Sequence, residues 1–199
     1  MNYKKVYEAL YSLGYHSRGK NHGKNYVKFI CATYTDFKSI LDCGCSNGLA
    51  VRSFRKLEKN AYGLDISETA IKFAAEKEAF VPNCVVSSST DIIFKDKFVD
   101  AIFSCDMLEH LQEKDVYKAL HEFRRVAKRY LFLVLDCEVE RNKDWIELGK
   151  KAHPELFKNI ENLHLTVWDK QKWIETIVNE TGFNFRNSYR DLHIFRKAN

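Results

Sequence analysis

The sequence lacks an apolar run long enough to cross a bilayer. The longest such run, Tyr130 to Leu135, is far short of the roughly 20 residues that a transmembrane helix needs. Met1 to Leu10 is too polar for a signal peptide, and no internal repeat or low-complexity tract is present. A hydrophobic content of 45% excludes an unfolded chain. We therefore expect a soluble, cytoplasmic protein without a membrane span, with one domain and at most an appendage in its 199 residues.

The cysteines lack the spacing of a metal site or a disulfide framework. The chain contains no C-x-x-C pair, and most of its cysteines stand in or beside apolar runs that resemble strands. Such thiols behave as small buried hydrophobic groups. We expect reduced cysteines and no metal site; the six are Cys31, Cys43, Cys45, Cys84, Cys105 and Cys137.

The positive charge is concentrated in the first segment of the chain. The formal net charge of the whole sequence is +5. Residues 1–28 carry this entire excess, since Glu8 is their only acidic residue; the basic ones are Lys4, Lys5, Arg18, Lys20, Lys24 and Lys28. Such a segment either attracts an anionic substrate or is a solvated surface, and the sequence leaves both interpretations open.

Short apolar runs alternate with amphipathic segments along most of the chain. Helices are predicted from Ser46 to Lys59, after the capping residue Ser67, from Lys114 to Arg129, and from Asp169 to Gly182. The intervening strands are predicted at Ser39–Cys43, Ala61–Ile66, Cys84–Val86, Val99–Cys105, Tyr130–Cys137, Phe183–Phe185 and Leu192–Phe195. This order predicts an α/β fold: a doubly wound, mostly parallel sheet of seven strands with helices on both faces. Residues 1–37 would form a helical appendage or lid, and residues 38–199 the main domain.

A glycine-containing loop follows the first predicted strand, with the sequence D-C-G-C-S-N-G from Asp42 to Gly48. Gly44 and Gly48 permit a sharp turn and a close approach of a ligand to the main chain. Asp65 ends the neighbouring strand, where a carboxylate suits the two hydroxyls of a ribose. The dinucleotide pattern G-x-G-x-x-G is not met, and Asp42 would repel a pyrophosphate but attract an ammonium group. The loop therefore predicts a site for a nucleoside with a cationic tail.

Five segments resemble motifs of class I S-adenosylmethionine-dependent methyltransferases. Ile40 to Gly48 and Tyr62 to Ser67 are similar to the first two motifs of that family. Further likenesses are the fourth strand with its L-E-H-L ending, the helix before the fifth strand, and a late helix that ends in G-F; they occupy Val99 to Leu111, Glu122 to Lys128, and His164 to Phe183. The last resembles the branch that contains ubiquinone-biosynthesis and related small-molecule methyltransferases. The resemblance covers residues 38–195.

This resemblance implies a Rossmann-like methyltransferase fold with S-adenosylmethionine as cofactor and S-adenosylhomocysteine as product. Asp42 would neutralise the methionine ammonium group, Asp65 would accept from the ribose hydroxyls, and Ile66 would pack on the adenine. Ser46 departs from the glycine common in the family, and either Ser88 or Asp91 would contact the adenine amine. The full implied cofactor site is Asp42, Cys43, Gly44, Cys45, Ser46, Gly48, Asp65, Ile66, Ser88, Ser89, Thr90, Asp91, Asp106 and Met107.

The reaction implied is methyl transfer to an oxygen or nitrogen atom, in which alignment of the reactants supplies most of the rate. A general base is needed for a hydroxyl or a protonated amine, and the candidates are Asp106, Glu109, His110 and His164. Packing or hydrogen-bonding roles remain alternatives for both histidines. Substrate contacts are expected from the aromatic, basic appendage, at Tyr15, His16 and Tyr26.

The acceptor is expected to be a small molecule, such as a sugar, a nucleotide-linked metabolite or a quinone precursor, with negative charge as one alternative. Nucleic acid is disfavoured because Asp106 to Glu109 lacks an N-P-P-Y type motif. Three other functions stay open: an RNA methyltransferase, a non-catalytic subunit that activates a partner, and a nicotinamide-dependent oxidoreductase. The sequence does not specify an oligomeric state.

Overall fold

The computed structural model describes residues 2–15, 22–76, 83–138 and 143–198. Its centre is one seven-stranded sheet in the order β3-β2-β1-β4-β5-β7-β6. The strands are β1 Ser39–Cys43, β2 Asn60–Asp65, β3 Cys84–Val86, β4 Val99–Cys105, β5 Ala127–Val134, β6 Phe183–Tyr189 and β7 Leu192–Lys197. The helices are α1 Tyr3–Ser12, α2 His22–Thr33, α3 Leu49–Lys56, α4 Glu68–Glu76, α5 Glu113–Val126, α6 Lys143–Ala152, α7 Pro154–Phe157 and α8 Lys170–Thr181, with a short 3-10 helix at Leu108–His110. The predicted fold class is confirmed.

The first five strands are parallel, so their carboxyl ends meet at one edge of the sheet. β1 pairs with β2 and β4, β2 with β3, and β4 with β5, all in parallel. β7 is antiparallel to both β5 and β6. Parallel sheets of this kind place their ligands in the crevice outside the carboxyl ends of the strands. The functional site is therefore sought beside the loops that follow Cys43, Asp65, Cys105 and Val134.

The helix after the first loop is shorter than the sequence predicts. It begins at Leu49 rather than Ser46, because Ser46 and Gly48 have positive φ angles of 50° and 71° that a helix cannot contain. The spacing of Ala50, Phe54 and Leu57 predicts one buried helix face. Ala50 and Phe54 are buried, but Leu57 follows the helix and is 42% exposed. Leu57 is therefore not part of the buried face.

The boundary between α5 and β5 lies three residues earlier than predicted. The helix ends at Val126 and the strand covers Ala127–Val134, whereas the sequence predicts Lys114–Arg129 and Tyr130–Cys137. Ala127 already pairs with Val99, and the register then shifts before Ala101. Pairing with β4 overrides the helical periodicity here, and it leaves residues 135–137 as a loop at the ligand edge.

The polar stretch from residue 138 to 163 contains two helices, α6 and α7, that the sequence does not reveal. They pack with α1 in a separate apolar cluster that contains Val6, Leu10, Ile146, Phe157 and Leu163. Few apolar residues in this stretch point inward, so its sequence pattern resembles that of a loop. The apolar cluster forms because α1 contributes its other half. The N-terminal segment and the 143–163 segment thus form one cover on the ligand side.

Other predicted helix ends are confirmed. Ser67 Oγ accepts the amide of Ala70 at the start of α4, and Asp169 accepts from Lys172 at the start of α8. Gly182 stops α8 in the left-handed conformation, with φ 67°. On α4, the sequence spacing predicts an inner face of Ile71, Ala74 and Ala75. Ala74 is buried and Ile71 is partly buried, but Ala75 is exposed.

In the part of the chain that the structure describes, no helix combines the length and the apolar character that a membrane span requires. His16, one of the expected substrate contacts, lies outside the described residues.

Candidate functional site

A cavity of about 1400 Å³ lies at the carboxyl edge of the parallel strands. The loop after β1, the tip of β2, the loop after β3 and the loop after β4 all contribute to its wall, and α1 and α6 cover it. Of the residues that the sequence assigned to a site, those in its lining are Asp42, Gly44, Cys45, Ser46, Asp65, Ile66, Ser88, Ser89, Thr90, Asp106, Met107, Glu109, His110, His164, Tyr15 and Tyr26. Residues distant in sequence therefore share one cavity.

The loop after β1 lies close to the backbone of β2 and to the loop after β4. The amides of Gly44 and Cys45 both donate to the carbonyl of Leu64 at 2.9 Å. Gly44 has φ 82°, and a Cβ at this position would stand 2.7 Å from Cγ of Met107. Only glycine fits this turn without a shift of Met107, so the loop is shaped for close approach to the cavity.

Asp65 connects two segments of the wall. One carboxylate oxygen accepts the amide of Ser46 at 2.9 Å, and the other accepts the amide of Ser67 at 3.0 Å. Burial raises the pKa of Asp65 to about 6, and these amide donors oppose that increase. Each oxygen keeps a second lone pair, so the carboxylate can still accept hydroxyl donors from a ligand.

Asp42 lies deeper in the cavity and is 3% exposed. Burial, and secondarily the nearby charge of Asp65, raise the pKa of Asp42 to about 8. A carboxylate in such surroundings is stabilised by a cationic group brought beside it. This electrostatic environment fits the ammonium group for which the sequence proposes Asp42.

Three predicted cofactor residues do not line the cavity. Cys43 is fully buried in the core, Gly48 caps α3, and Asp91 is exposed on a bridge with Ser88. Ser88 is therefore better placed than Asp91 to contact a base in the cavity. Ser87 also lines it, which the sequence analysis missed.

The proposed bases Glu109, His110 and His164 form a compact cluster. One ligand-capable atom from each lies within 4.8 Å of the others, and all three residues are buried. The backbone fixes the cluster, because the amides of Leu165 and Thr166 both donate to the carbonyl of Glu109, at 2.8 and 3.0 Å. The segment around His164 is thereby attached to the 3-10 helix that carries the other two side chains.

Glu109 is an unusual residue in this cluster because its side chain is fully buried. Oε1 accepts the amide of Asp136 at 3.2 Å, whereas Oε2 has no hydrogen-bond partner among the described residues. Burial raises the pKa of Glu109 well above its ordinary value, and the charge of Asp106 adds to the effect. Asp106 itself has φ 50°, a strained conformation at the cavity wall.

A row of tyrosines on α1 lines the cavity at Tyr3, Tyr7 and Tyr11. The sequence analysis did not assign Tyr3 or Tyr7 to the site, although their spacing of four residues is a detectable signal for one helix face. Tyr7 Oη lies 2.9 Å from Nδ1 of His110, and Tyr15 packs edge-on against Trp145 with ring centroids 5.3 Å apart. The described appendage therefore contacts the same cavity as the loops.

The charge of the described lining is strongly negative. Its cationic side chains are Lys170 and Arg190, and its carboxylates are Asp42, Asp65, Asp106, Glu109, Asp115, Asp136, Glu138, Asp144 and Asp191. Lys4, from the basic segment, instead pairs with Glu68 on the surface at 2.7 Å. The wall therefore favours neutral or cationic groups over anionic ones.

Comparison with protein families gives one match. Residues 41–134 match the family described as "Methyltransferase domain". No curated protein matches the chain. The matched segment contains Asp42, Asp65 and Glu109, which line the cavity. This segment is therefore similar to a methyltransferase domain, and the order of the strands agrees with that likeness.

Several solved structures share the fold at low sequence identity. A complex of the Haloferax volcanii Trm112 methyltransferase activator with a candidate methyltransferase aligns at TM-score 0.67 and 16% identity, over 96% of this chain and 94% of that one. Magnesium protoporphyrin IX methyltransferase from Synechocystis PCC 6803, with bound S-adenosylhomocysteine, aligns at TM-score 0.61 and 18% identity, over 88% of this chain and 82% of that one. A SAM-dependent methyltransferase from Archaeoglobus fulgidus aligns at TM-score 0.58 and 18% identity, over 81% of this chain and 67% of that one. These likenesses support the fold; the predicted ubiquinone-related branch remains a prediction.

Proposed function

We propose that this chain is an S-adenosylmethionine-dependent methyltransferase that acts on a small molecule. The observation that carries the proposal is the convergence of Asp42, Gly44 and Asp65 on one covered cavity. A volume of about 1400 Å³ exceeds the roughly 300 to 1,000 Å³ of ordinary ligand pockets. The cavity therefore has room for both a nucleoside cofactor and a small acceptor.

The residues of the wall fit the parts of S-adenosylmethionine. Asp42 would hold the ammonium group, the backbone around Gly44 would approach the methionine and ribose parts, and Asp65 would accept from the ribose hydroxyls. Ile66 and Ser88 would contact the adenine. The bound cofactor supplies an electrophilic methyl group on a sulfonium, whose sulfur leaves as a neutral thioether.

The chain itself must position the acceptor and exclude water. The covering tyrosines Tyr3, Tyr7 and Tyr11 lie over the cavity, and α6 contributes Trp145. Alignment of acceptor and methyl group supplies most of the rate in such a reaction. The cluster of Glu109, His110 and His164 lies in the same wall and is the place where an acceptor proton would be handled.

A small acceptor is favoured over RNA by the charge of the described wall. RNA methyltransferases must accommodate phosphates, which this carboxylate-rich lining would repel. The same lining gives no support to a strongly anionic acceptor. A neutral or cationic small molecule suits it best.

Transfer of tritium-labelled methyl groups tests the proposal. The purified chain would be incubated with labelled S-adenosylmethionine and, separately, a small-metabolite extract, total RNA and a protein extract. We expect label in the small-molecule fraction, and loss of that label with Asp65→Ala but not with the exposed control Asp91→Ala. Label found only in RNA or protein would contradict the small-molecule proposal.

The partner-dependent alternative rests on the Haloferax volcanii likeness, in which the aligned chain is bound to an activator. If wild-type protein binds cofactor but transfers no label, the three incubations would be repeated with lysate of the source cells. Transfer that appears only with lysate would favour a methyltransferase that needs a protein partner.

A further inference from the structure

We propose that Glu109, His110 and His164 bind a divalent first-row transition-metal cation, which holds a hydroxyl group of the methyl acceptor. The cation site follows from the three side chains themselves. Only the role of the cation in holding the acceptor hydroxyl rests on the proposed function. Two observations support it independently: the close approach of three ligand-capable atoms, and a buried carboxylate oxygen without a partner.

The distances suit a single ion. Zinc and similar cations bind imidazole nitrogen and carboxylate oxygen at about 2.0 to 2.2 Å, so two ligands of one ion lie at most about 4.4 Å apart. The three atoms lie within 4.8 Å of one another. A side-chain movement of a few tenths of an ångström would bring all of them into coordination distance.

The buried Oε2 atom of Glu109 is the second observation that supports a cation site. Glu109 is 0% exposed, and its Oε2 has no hydrogen-bond partner in the described part of the chain. Burial disfavours the ionised form of a carboxylate unless a counter-charge or a donor lies beside it. The charges of Asp106 and Asp136 act on the same group and disfavour its ionisation further. A cation between Glu109 and the histidines would neutralise this surplus.

The hydrogen bond of the His164 imidazole favours metal coordination. Nδ1 of His164 lies 2.8 Å from the carbonyl of Glu138, and Nδ1 of His110 lies 3.2 Å from the carbonyl of Leu163. Because a carbonyl only accepts, Nδ1 of His164 carries the hydrogen and its Nε2 keeps a lone pair, whereas Nδ1 of His110 also lies 2.9 Å from the hydroxyl of Tyr7. A backbone carbonyl on one ring nitrogen and a metal on the other is the usual arrangement of ligating histidines.

The ligand set indicates the class of ion. Two imidazole nitrogens and one carboxylate oxygen suit Mn²⁺, Fe²⁺, Co²⁺ or Zn²⁺, whereas Mg²⁺ and Ca²⁺ prefer all-oxygen surroundings. Three protein ligands leave positions open for another molecule. The cysteine spacing predicts that the cysteines form no metal site. That prediction does not concern this cluster of two histidines and a carboxylate.

An ion at this position would face the cavity in which the acceptor must bind. A hydroxyl on a divalent cation is oriented and its pKa is lowered. During transfer, the new C–O bond forms as the C–S bond breaks, the thioether leaves neutral, and the hydroxyl proton passes to water. Among the oxygen and nitrogen acceptors that the sequence leaves open, the cluster therefore favours a hydroxyl.

Titration of chelator-treated, full-length protein with Mn²⁺ tests the site, with free Mn²⁺ followed by electron paramagnetic resonance. We expect one Mn²⁺ per chain, and binding at least about 100-fold weaker in Glu109→Gln and His164→Ala, because even outer partners of a metal site contribute 10- to 100-fold. His121→Ala, which changes an exposed histidine paired with Glu180, should bind Mn²⁺ normally. Ligand-field bands of bound Co²⁺ should show imidazole coordination in the wild type and lose intensity in His164→Ala.

S-adenosylhomocysteine binding, measured in the same samples, controls for folding and separates the two proposals. Variants that bind S-adenosylhomocysteine but not Mn²⁺ support the site. Wild-type protein that binds S-adenosylhomocysteine but no Mn²⁺ at millimolar concentration overturns the site and leaves the proposed function intact. Wild-type protein that binds Mn²⁺ but neither sulfur ligand overturns the proposed function instead. Methyl transfer to amines that continues unchanged with chelator present would overturn the hydroxyl assignment.

Discussion

The hydroxyl of Tyr7 lies 2.9 Å from Nδ1 of His110 and joins the N-terminal helix to the loop after β4. The two rings are also nearly perpendicular, with centroids 5.9 Å apart. This contact matters because His110 belongs to the cluster with Glu109 and His164 in the cavity wall. Helix α1 therefore contacts a residue of this cluster and also lines the cavity.

Removal of that hydroxyl should reduce turnover more than it reduces cofactor binding. For Tyr7→Phe we expect turnover about ten-fold or more lower, as for partners that orient a ligating histidine, and a free energy of unfolding lower by about 1 kcal/mol. S-adenosylhomocysteine affinity, measured by calorimetry, should stay unchanged. Tyr34→Phe is the matched control, since Tyr34 bonds to Asn187 on the exposed surface. Equal turnover in Tyr7→Phe and wild type would remove Tyr7 from the positioning role.

Asp65 should contribute to both cofactor affinity and the order of the loop. Asp65→Ala leaves ribose hydroxyls and the amides of Ser46 and Ser67 without an acceptor, so we expect a loss of about 1 to 3 kcal/mol in S-adenosylmethionine binding, roughly 5- to 150-fold. Calorimetry measures the affinity, and circular dichroism checks the fold. Asp91→Ala, the same change at an exposed position outside the cavity, should have no effect. Equal losses in both variants would contradict the role given to Asp65.

Cofactor binding should release a proton from Asp42. The ligand-free pKa of Asp42 is about 8, so at pH 7 this group is mostly protonated, and an ammonium group beside it stabilises the ionised form. Affinity should therefore rise from pH 6.5 towards 8. It should fall again above pH 8, because the α-amino group of the cofactor loses its own proton near pH 7.7 to 8.0.

Calorimetry at pH 7 in buffers of different ionisation enthalpy would count the released protons. We expect a value approaching about one per S-adenosylmethionine in the wild type and close to none in Asp42→Asn. The ligand-free Asp42→Asn variant should also unfold at a higher temperature at pH 7. Because the pKa of Asp42 is raised in the folded state, the folded protein loses stability as the pH increases from about 4 to about 8. The uncharged amide of Asn causes no such loss. An equal proton release in both proteins would place the titrating group elsewhere.

The loop glycine should tolerate no side chain. In Gly44→Ala, the added Cβ meets Met107 and occupies a positive φ, so we expect the free energy of unfolding to fall by about 2 to 3 kcal/mol. Gly182→Ala is the control, because Gly182 has a similar φ but a Cβ added there would have no atom within 4 Å; its loss should be about 1 kcal/mol. Urea denaturation measures both. Similar losses at the two positions would show that Met107 yields without cost.

The sequence was sufficient for much of the sheet and insufficient for the cover. β3 and β4 have the predicted bounds because each is a short apolar run between polar residues. The helices α6 and α7 were missed because their buried side chains become a core only against α1. The periodicity of apolar residues within a segment does not show that a distant helix, here α1, will pack against that segment.

The candidate site shows the same division. Asp42 and Asp65 could be placed from the strand order, because neighbouring parallel strands end at one edge. The candidate bases were predicted individually, but the proximity of His164 to Glu109 depends on amide bonds between two distant segments. Cysteine spacing carries no information about such a cluster. The orphan oxygen of Glu109 is visible only in three dimensions.

Calorimetric titration with S-adenosylmethionine and S-adenosylhomocysteine, with NAD as the control ligand, tests the central claim most directly. We expect both sulfur ligands to bind with micromolar affinity at one site per chain, and NAD not to bind, because the carboxylate-rich wall of the cavity repels a pyrophosphate. The wild-type result would be compared with Asp65→Ala. Binding of NAD, or of neither sulfur ligand, would contradict the assignment of this cavity to a methyltransferase cofactor.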